Sequence, residues 1–186
     1  MSQQTQVGYR ISDLRPKDVE QARAVMLRSV AEDFGADYDP LVHADIDDLE
    51  GWYSRPEGPF MLVVHDDLTG RVIATGGIRG GALKEGLSPE HLVERYRDGH
   101  TGQIVRVYVL REERRRGIAR ALVQAILERA ASEGHYDRIA LHTFLHSPGA
   151  VAFWTSTGAV LVEDDTDGIS NAMFYEFEAH PAAPGR

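Results

Sequence analysis

Apolar and polar positions follow two periods along this chain, and the switches between them mark out its elements. In VGYRISDL, Tyr9 and Ile11 alternate with Arg10 and Ser12, which predicts a first strand. RPKDVEQARAVMLRSVAEDF changes to helical spacing, with Val19, Ala22, Val25, Met26 and Val30 on one stripe and Asp13 and Pro16 at its start. DPLVHADIDDLEGWY predicts a second, short helix in an acidic setting. PFMLVVHD and RVIATGGIRG read as strands joined by the turn-rich DLTG, and Gly76 and Gly77 in the second point to a bulge or a close backbone approach. A long polar connection follows, with a short helix from Pro89 to Arg97.

QIVRVYVL is the next strand. RRGIARALVQAILERAASEG is a helix, with Ile118, Ala121, Leu122, Ala125 and Ile126 on one face and Gly134 at its stop. YDRIALHTF is a strand, and SPGAVAFWTST a short helix with Ser147 as N-cap and Pro148 at its first position. GAVLVED and NAMFYEFEA close the pattern as strands. Residues 1–6 and 180–186 are expected to be disordered ends around one domain, 7–179. The order of elements predicts an α/β (α+β) sheet domain rather than a regular doubly wound fold.

Composition narrows the function. The chain has 186 residues, 42% of them hydrophobic, which suits one domain with a substantial core. Its formal net charge of −9 argues against a nucleic-acid partner, which needs a basic face. It contains no cysteine, so disulfides, thiolate zinc sites and cysteine nucleophiles are excluded. HTFLH lacks the glutamate of the helical zinc motif, and no metal is expected. No apolar run is long enough to span a bilayer, and MSQQTQVGYR lacks the regions of a signal peptide. The expectation is a cytoplasmic protein with no membrane partner.

Against this acidic background, RRRGIA gathers positive charge where a strand turns into a helix. A helix's first turn carries backbone N–H groups without intrahelical partners, and with the helix dipole they favour an anion. Gly117 would let the backbone approach that anion, and Ala119 keeps a second position small. Arg111, Arg114, Arg115, Arg116 and Arg120 add charge suited to phosphate oxygens. Arginines here oppose the dipole, so the alternative of a plain solvated surface is the weaker reading. Neither a P-loop nor a G-x-G-x-x-G turn is present.

VYVLREERRRGIARALV resembles the acetyl-coenzyme A signature of the GNAT (GCN5-related N-acetyltransferase) superfamily. That signature is Gln/Arg-x-x-Gly-x-Gly/Ala, matched by Arg114, Gly117 and Ala119. The resemblance implies a single GNAT-like domain with a mixed, mostly antiparallel central sheet flanked by helices. It implies that backbone N–H groups of Arg115, Arg116, Gly117, Ile118, Ala119 and Arg120 bind the coenzyme pyrophosphate. It also implies that the strand end Val107, Tyr108 and Val109 pairs with the pantetheine arm and polarises the thioester carbonyl.

LHTFLHSPGAVAFWTSTGAV resembles the family's second coenzyme segment, with Ala150 and Gly158 at matching positions. It departs from the pattern elsewhere. Ser147 takes the asparagine position, and with it an expected coenzyme contact; Ala159 replaces a phenylalanine, and Trp154 a tyrosine. The family tyrosine is taken as the acid that protonates the leaving thiolate. An indole N–H donates a hydrogen bond but does not give up its proton near neutral pH. Trp154 would then stabilise a thiolate without protonating it, or simply pack beside Phe153, and Tyr108 is the alternative acid. The family's usual glutamate is also missing from the strand before the signature, which offers Gln103 and Arg106 instead. His142 and His146 are the nearest candidate bases, each with a structural or solvent-exposed alternative.

The segment between the first two helices carries Asp33, Asp37, Asp39, Asp45, Asp47, Asp48 and Glu50. In the family this region walls the acceptor pocket, and an acidic wall would attract a polyamine, an aminoglycoside or a lysine. A solvated helix face is the plainer alternative. Tyr38, Trp52 and Tyr53 would line the pocket or pack. The expected function is direct transfer of acetyl from acetyl-coenzyme A to a primary amine of a small molecule, with a homodimer in keeping with the family. Two alternatives stay open: a non-catalytic acyl-coenzyme A binding module, and an acetyltransferase for a protein lysine or N-terminus.

Overall fold

The computed structural model describes residues 8–35, 37–40, 43–55, 57–144 and 149–177. Expectations for residues 1–7, for His146, Ser147 and Pro148, and for the tail from 178 fall outside the described residues. Strand β1 (Tyr9–Asp13) leads through a 3-10 turn at Pro16–Asp18 into helix α1 (Val19–Phe34). Short helices α2 (Ala44–Asp47) and α3 (Leu49–Tyr53) precede β2 (Phe60–Asp66) and β3 (Val72–Gly80). Then come α4 (Glu90–Arg95), β4 (Thr101–Val109), α5 (Ile118–Glu133), β5 (Arg138–Phe144), α6 (Ala150–Ser156), β6 (Val160–Asp165) and β7 (Ala172–Phe177).

The seven strands form one sheet in the order β1-β2-β3-β4-β5-β7-β6. Every pairing is antiparallel except β4 with β5. The expected mixed, mostly antiparallel sheet flanked by helices is therefore the one observed. The helical stripes bury as their spacing predicts: Ala22, Val25, Met26 and Val30 on α1, and Ile118, Leu122 and Ile126 on α5. Both helices stop at glycines with positive φ, Gly35 at 57° and Gly134 at 63°.

The sheet carries α1–α3 on one face and α5 on the other. A Cβ on Gly76 would stand 3.0 Å from a Leu122 methyl and 3.1 Å from Ile126, so that side of β3 looks at α5. Strand alternation turns Arg79 to the opposite side, where its guanidinium lies 3.9 Å from the Asp45 carboxylate of α2.

Two expectations need correction. The acidic helix breaks in two at Asp48, whose φ of −136° and ψ of 63° are not helical and whose carboxylate accepts from the Gly51 N–H at 3.0 Å. A short polar side chain that bonds nearby backbone competes with the helix and caps the next one instead. The helix expected to open at Ser147 begins at Ala150, with Gly149 as its N-cap at a φ of 79°.

Gly77 is a close approach between β2 and β3, since a Cβ there would meet the Phe60 carbonyl oxygen at 2.8 Å. Gly77→Val is expected to cost about 1–3 kcal/mol, since the backbone must move. Thermal unfolding should show the midpoint falling by roughly 3–10 °C. An unchanged midpoint would contradict the close packing of these strands.

Candidate active site

β4 and β5 run side by side only at first. Thr101, Gly102 and Gln103 pair with Arg138, Ile139 and Ala140, and the pairing then stops. Beyond this point β4 continues from Ile104 to Val109 and β5 from Leu141 to Phe144 without a shared ladder. A β-bulge accompanies the divergence. Thr75 pairs with Tyr108 but Gly77 with Val105, which leaves one extra residue in β4. The expected bulge thus belongs to the strand that faces Gly76. Arg106 sits in it at a φ of 57°, a left-handed conformation that an arginine adopts only against resistance.

Contacts to Thr75 and Asp45 hold Arg106 there. Its carbonyl accepts from the Thr75 hydroxyl at 2.9 Å. Its guanidinium binds Asp45 at two points, Nη2 to Oδ1 at 2.5 Å and Nε to Oδ2 at 2.9 Å. The Tyr53 hydroxyl donates to the same carboxylate at 2.6 Å. Asp45 is 2% exposed. Burial alone would raise its pKa, but the Arg106 hydrogen bonds and charge, Tyr53 and Arg79 overrule it and hold the carboxyl below its ordinary value. Burial, and then the same carboxylate, push the Tyr53 hydroxyl far above its ordinary value.

Gln103 and His142 face each other across the last paired positions. The Gln103 amide nitrogen lies 2.9 Å from His142 Nδ1 and donates to it, which puts the ring proton on Nε2. Turning the amide over would reverse both roles. His142 keeps a solvent-facing side. Phe144 and Phe174 pack on the ring with centroids 5.7 and 5.6 Å away. Its pKa is pushed down to about 4, first by the protein crowded round it and then by Arg79 and Arg106. The open side limits the desolvation, but both causes act in the same direction, so the ring is neutral at pH 7. The sequence-based expectation of a histidine titrating near neutrality does not allow for these neighbours.

At the other end of β4, a single 3-10 turn at Arg111–Glu113 leads to the start of α5. Arg115 has a φ of 65° and Gly117 one of 78°. Nothing lies within 4 Å of where a Cβ on Gly117 would stand. The first N–H satisfied by helical bonding is that of Ala121, which donates to the Gly117 carbonyl at 3.1 Å. The six N–H groups from Arg115 to Arg120 have no acceptor among the described residues. Ile118 is buried at 2% exposure, so only its backbone is on offer there, and Ala119 packs against the core.

The arginines of this turn are mostly occupied. Arg114 donates to the Val109 carbonyl at 3.0 Å and to Asp33, and Arg111 reaches Asp33 at 3.1 Å. Arg116 pairs with Glu113 and Arg120 binds the Ser156 carbonyl and hydroxyl at 2.8 and 2.9 Å. Arg115 alone among them has no side-chain partner among the described residues. The acidic stretch supplies the matching carboxylates: besides Asp33 and Asp45, Asp47 pairs with Arg23 at 2.9 Å and accepts from Tyr38. Asp33, Asp45, Asp47 and Asp48 thus serve as arginine or cap partners, while Asp37 and Glu50 are exposed.

The remaining expected site residues fall as follows. Val107 and Tyr108 are half-buried and Val109 is buried, all on the diverging end of β4. Tyr108 lies beside the bulge, its hydroxyl 3.5 Å from Arg106 Nη1. Trp154 is 8% exposed and stands edge-on to Phe153 with ring centroids 5.0 Å apart, within the core.

The acetyltransferase (GNAT) family model matches residues 26–159. The chain belongs to the GNAT family of acetyltransferases. Solved structures share its fold. A GNAT acetyltransferase from Staphylococcus aureus Mu50 superposes with a TM-score of 0.71 at 16% identity, covering 92% of this chain and 99% of that one. The ribosomal-protein-S18-alanine N-acetyltransferase of Escherichia coli gives 0.63 at 15% identity, covering 96% and 98%. The PaiA N-acetyltransferase of Thermoplasma acidophilum, solved with coenzyme A, gives 0.65 at 14% identity, covering 91% and 98%. No curated protein matches the chain.

In this GNAT domain, sequence reasoning passed over Arg79 and left Arg106 without a role. The available signal was a charged residue in each of two otherwise apolar strands. Asp45→Asn is expected to cost about 3–5 kcal/mol, because it strands a buried guanidinium. Its pH dependence follows from the depressed carboxyl. The contribution is complete above the unfolded pKa of about 3.9 and is lost as pH falls through the lower folded value. Chemical denaturation at several pH values should show wild type and variant differing by a constant amount above about pH 5 and converging below about pH 4. A difference that does not shrink in acid would contradict the charged pair.

Proposed function

We propose that this GNAT protein transfers acetyl from acetyl-coenzyme A directly to the primary amine of a small molecule. The observation that carries the reading is the run of six N–H groups at the start of α5 that have no acceptor among the described residues, beside a strand pair that opens. Such a run suits a pyrophosphate. Arg115, without a side-chain partner among the described residues, would add charge to the same anion. The free side of β4 from Ile104 to Val109 offers backbone to the pantetheine arm, and an N–H there would stabilise the oxyanion of the tetrahedral intermediate.

In the reaction, the neutral amine nitrogen attacks the thioester carbonyl carbon. A C–N bond forms, the C–S bond breaks, and coenzyme A leaves as thiolate. The attacking nitrogen loses a proton and the thiolate gains one. His142, neutral and open to solvent, takes the first proton on Nε2, in the tautomer in which its Nδ1–H donates to the Gln103 amide oxygen. With two guanidiniums beside it, it passes the proton on to water rather than holding it. Tyr108 is the donor to the thiolate in this reading. The buried position of Trp154 favours packing over acid catalysis.

Acceptor-dependent release of the free thiol separates this reading from a non-catalytic coenzyme-binding module. Gly117→Glu is expected to weaken acetyl-coenzyme A binding by roughly 100-fold or more through like-charge repulsion. The left-handed backbone itself costs about 1–2 kcal/mol for any side chain. Gly117→Asn tolerates that conformation without the charge and should bind far better than the glutamate variant. Calorimetric titration of both folded variants makes the comparison. Equal affinity of Gly117→Glu and wild type would refute the coenzyme site.

A further inference from the structure

Two guanidiniums face one carboxylate at the acceptor side of the cleft. Arg106 and Arg79 both reach Asp45, so the group keeps one positive charge in excess. Neutral His142 adds none.

The two arginines are differently placed. Arg106 has a 12% exposed side chain and is committed to Asp45 and the bulge. Arg79 is 32% exposed, and its 3.9 Å approach to Asp45 is an ion pair without a hydrogen bond. Its guanidinium lies over the half-exposed Trp52 ring, 5.9 Å from the centroid. Arg79 makes no hydrogen bond to any described residue. Five planar N–H donors are thus held by a carboxylate behind and an aromatic ring alongside. A guanidinium fork of this kind matches a carboxylate, and it repels a polycation.

We propose that Arg79, backed by Arg106, is a carboxylate subsite of the acceptor pocket, and that the acceptor is an amine that also bears a carboxylate, a free amino acid rather than a polyamine. This rests on the acetyl-transfer reading above and names its substrate class. Register supports the location: Arg79 pairs with Gln103, which in turn binds His142. A carboxylate on Arg79 would therefore hold its own amine on the side of the sheet where β4 and β5 part. The acetyl-transfer step is unchanged, and the carboxylate takes no part in its bonds.

The test uses the whole chain with acetyl-coenzyme A and follows thiol release. The acceptors are a panel of free amino acids, the carboxamide of each, and spermidine. At least one free amino acid should be acetylated with a kcat/KM about 10-fold or more above that of its carboxamide, the equivalent of one charge-assisted contact. Arg79→Gln should raise the KM for that amino acid about 10–100-fold. It should leave the KM for the carboxamide and the affinity for acetyl-coenzyme A unchanged, which also shows that the variant folds. Arg79→Lys should recover part of the loss. Preference for the carboxamides or for spermidine would overturn the proposal, as would acetylation of no free amino acid by protein that still binds acetyl-coenzyme A. Both outcomes leave the coenzyme site standing. Failure of wild type to bind acetyl-coenzyme A would instead remove the acetyl-transfer reading, and this proposal with it.

Discussion

The buried pair of Asp45 and Arg106 is the constraint on which the cleft depends. A carboxylate with 2% exposure is tolerable only with its charge met and its lone pairs filled. Arg106 meets it twice and Tyr53 once. The guanidinium in turn belongs to a residue forced into left-handed backbone in a bulge. One interaction therefore ties α2 and α3 to the strand that must leave its neighbour. Without it, the strained arginine where β4 parts from β5 would lose both hydrogen bonds from its guanidinium to Asp45.

The same economy governs the positive charge at the head of α5. Arginines there work against the helix dipole, and an acidic chain has carboxylates to spare. Asp33 takes two of them and Glu113 a third. The side chains thus brace the turn against α1 and the end of β4, and the backbone N–H groups of residues 115–120 are left without acceptors among the described residues. Arg115, the one without a partner among the described residues, shares positive φ with Gly117 two positions later. Arg106 and Arg115 are two of the three non-glycine residues with positive φ among the described residues; the third, Asn171, has a side chain that suits that conformation.

Much of the fold was legible because its strands and long helices bury one side at a regular period. Val25 and Met26 on α1, and Leu122 and Ile126 on α5, lie in the core as their spacing implies. The turn around Gly117 was legible as a strand-to-helix junction, and Gly117 caps α5 there at a φ of 78°. The acceptor side was not. Asp45 and Arg106 stand far apart in the chain, and nothing local distinguishes Asp45 from its acidic neighbours. The shift of His142 depends first on the protein packed round the ring and then on arginines from two other strands. The break at Asp48 was visible in residue type but was masked by a continuous helical pattern. Tertiary contacts decide such features, and periodicity does not report them.

The most direct test of the account is a map of backbone amide resonances in nitrogen-15-labelled protein titrated with coenzyme A and, separately, with pantetheine, which lacks the pyrophosphate. The amides of residues 115–120 should shift and gain protection from solvent exchange with coenzyme A, and stay in place with pantetheine. Amides at 115–120 that ignore coenzyme A, while others respond, would show that this turn is braced surface and that the coenzyme is held elsewhere.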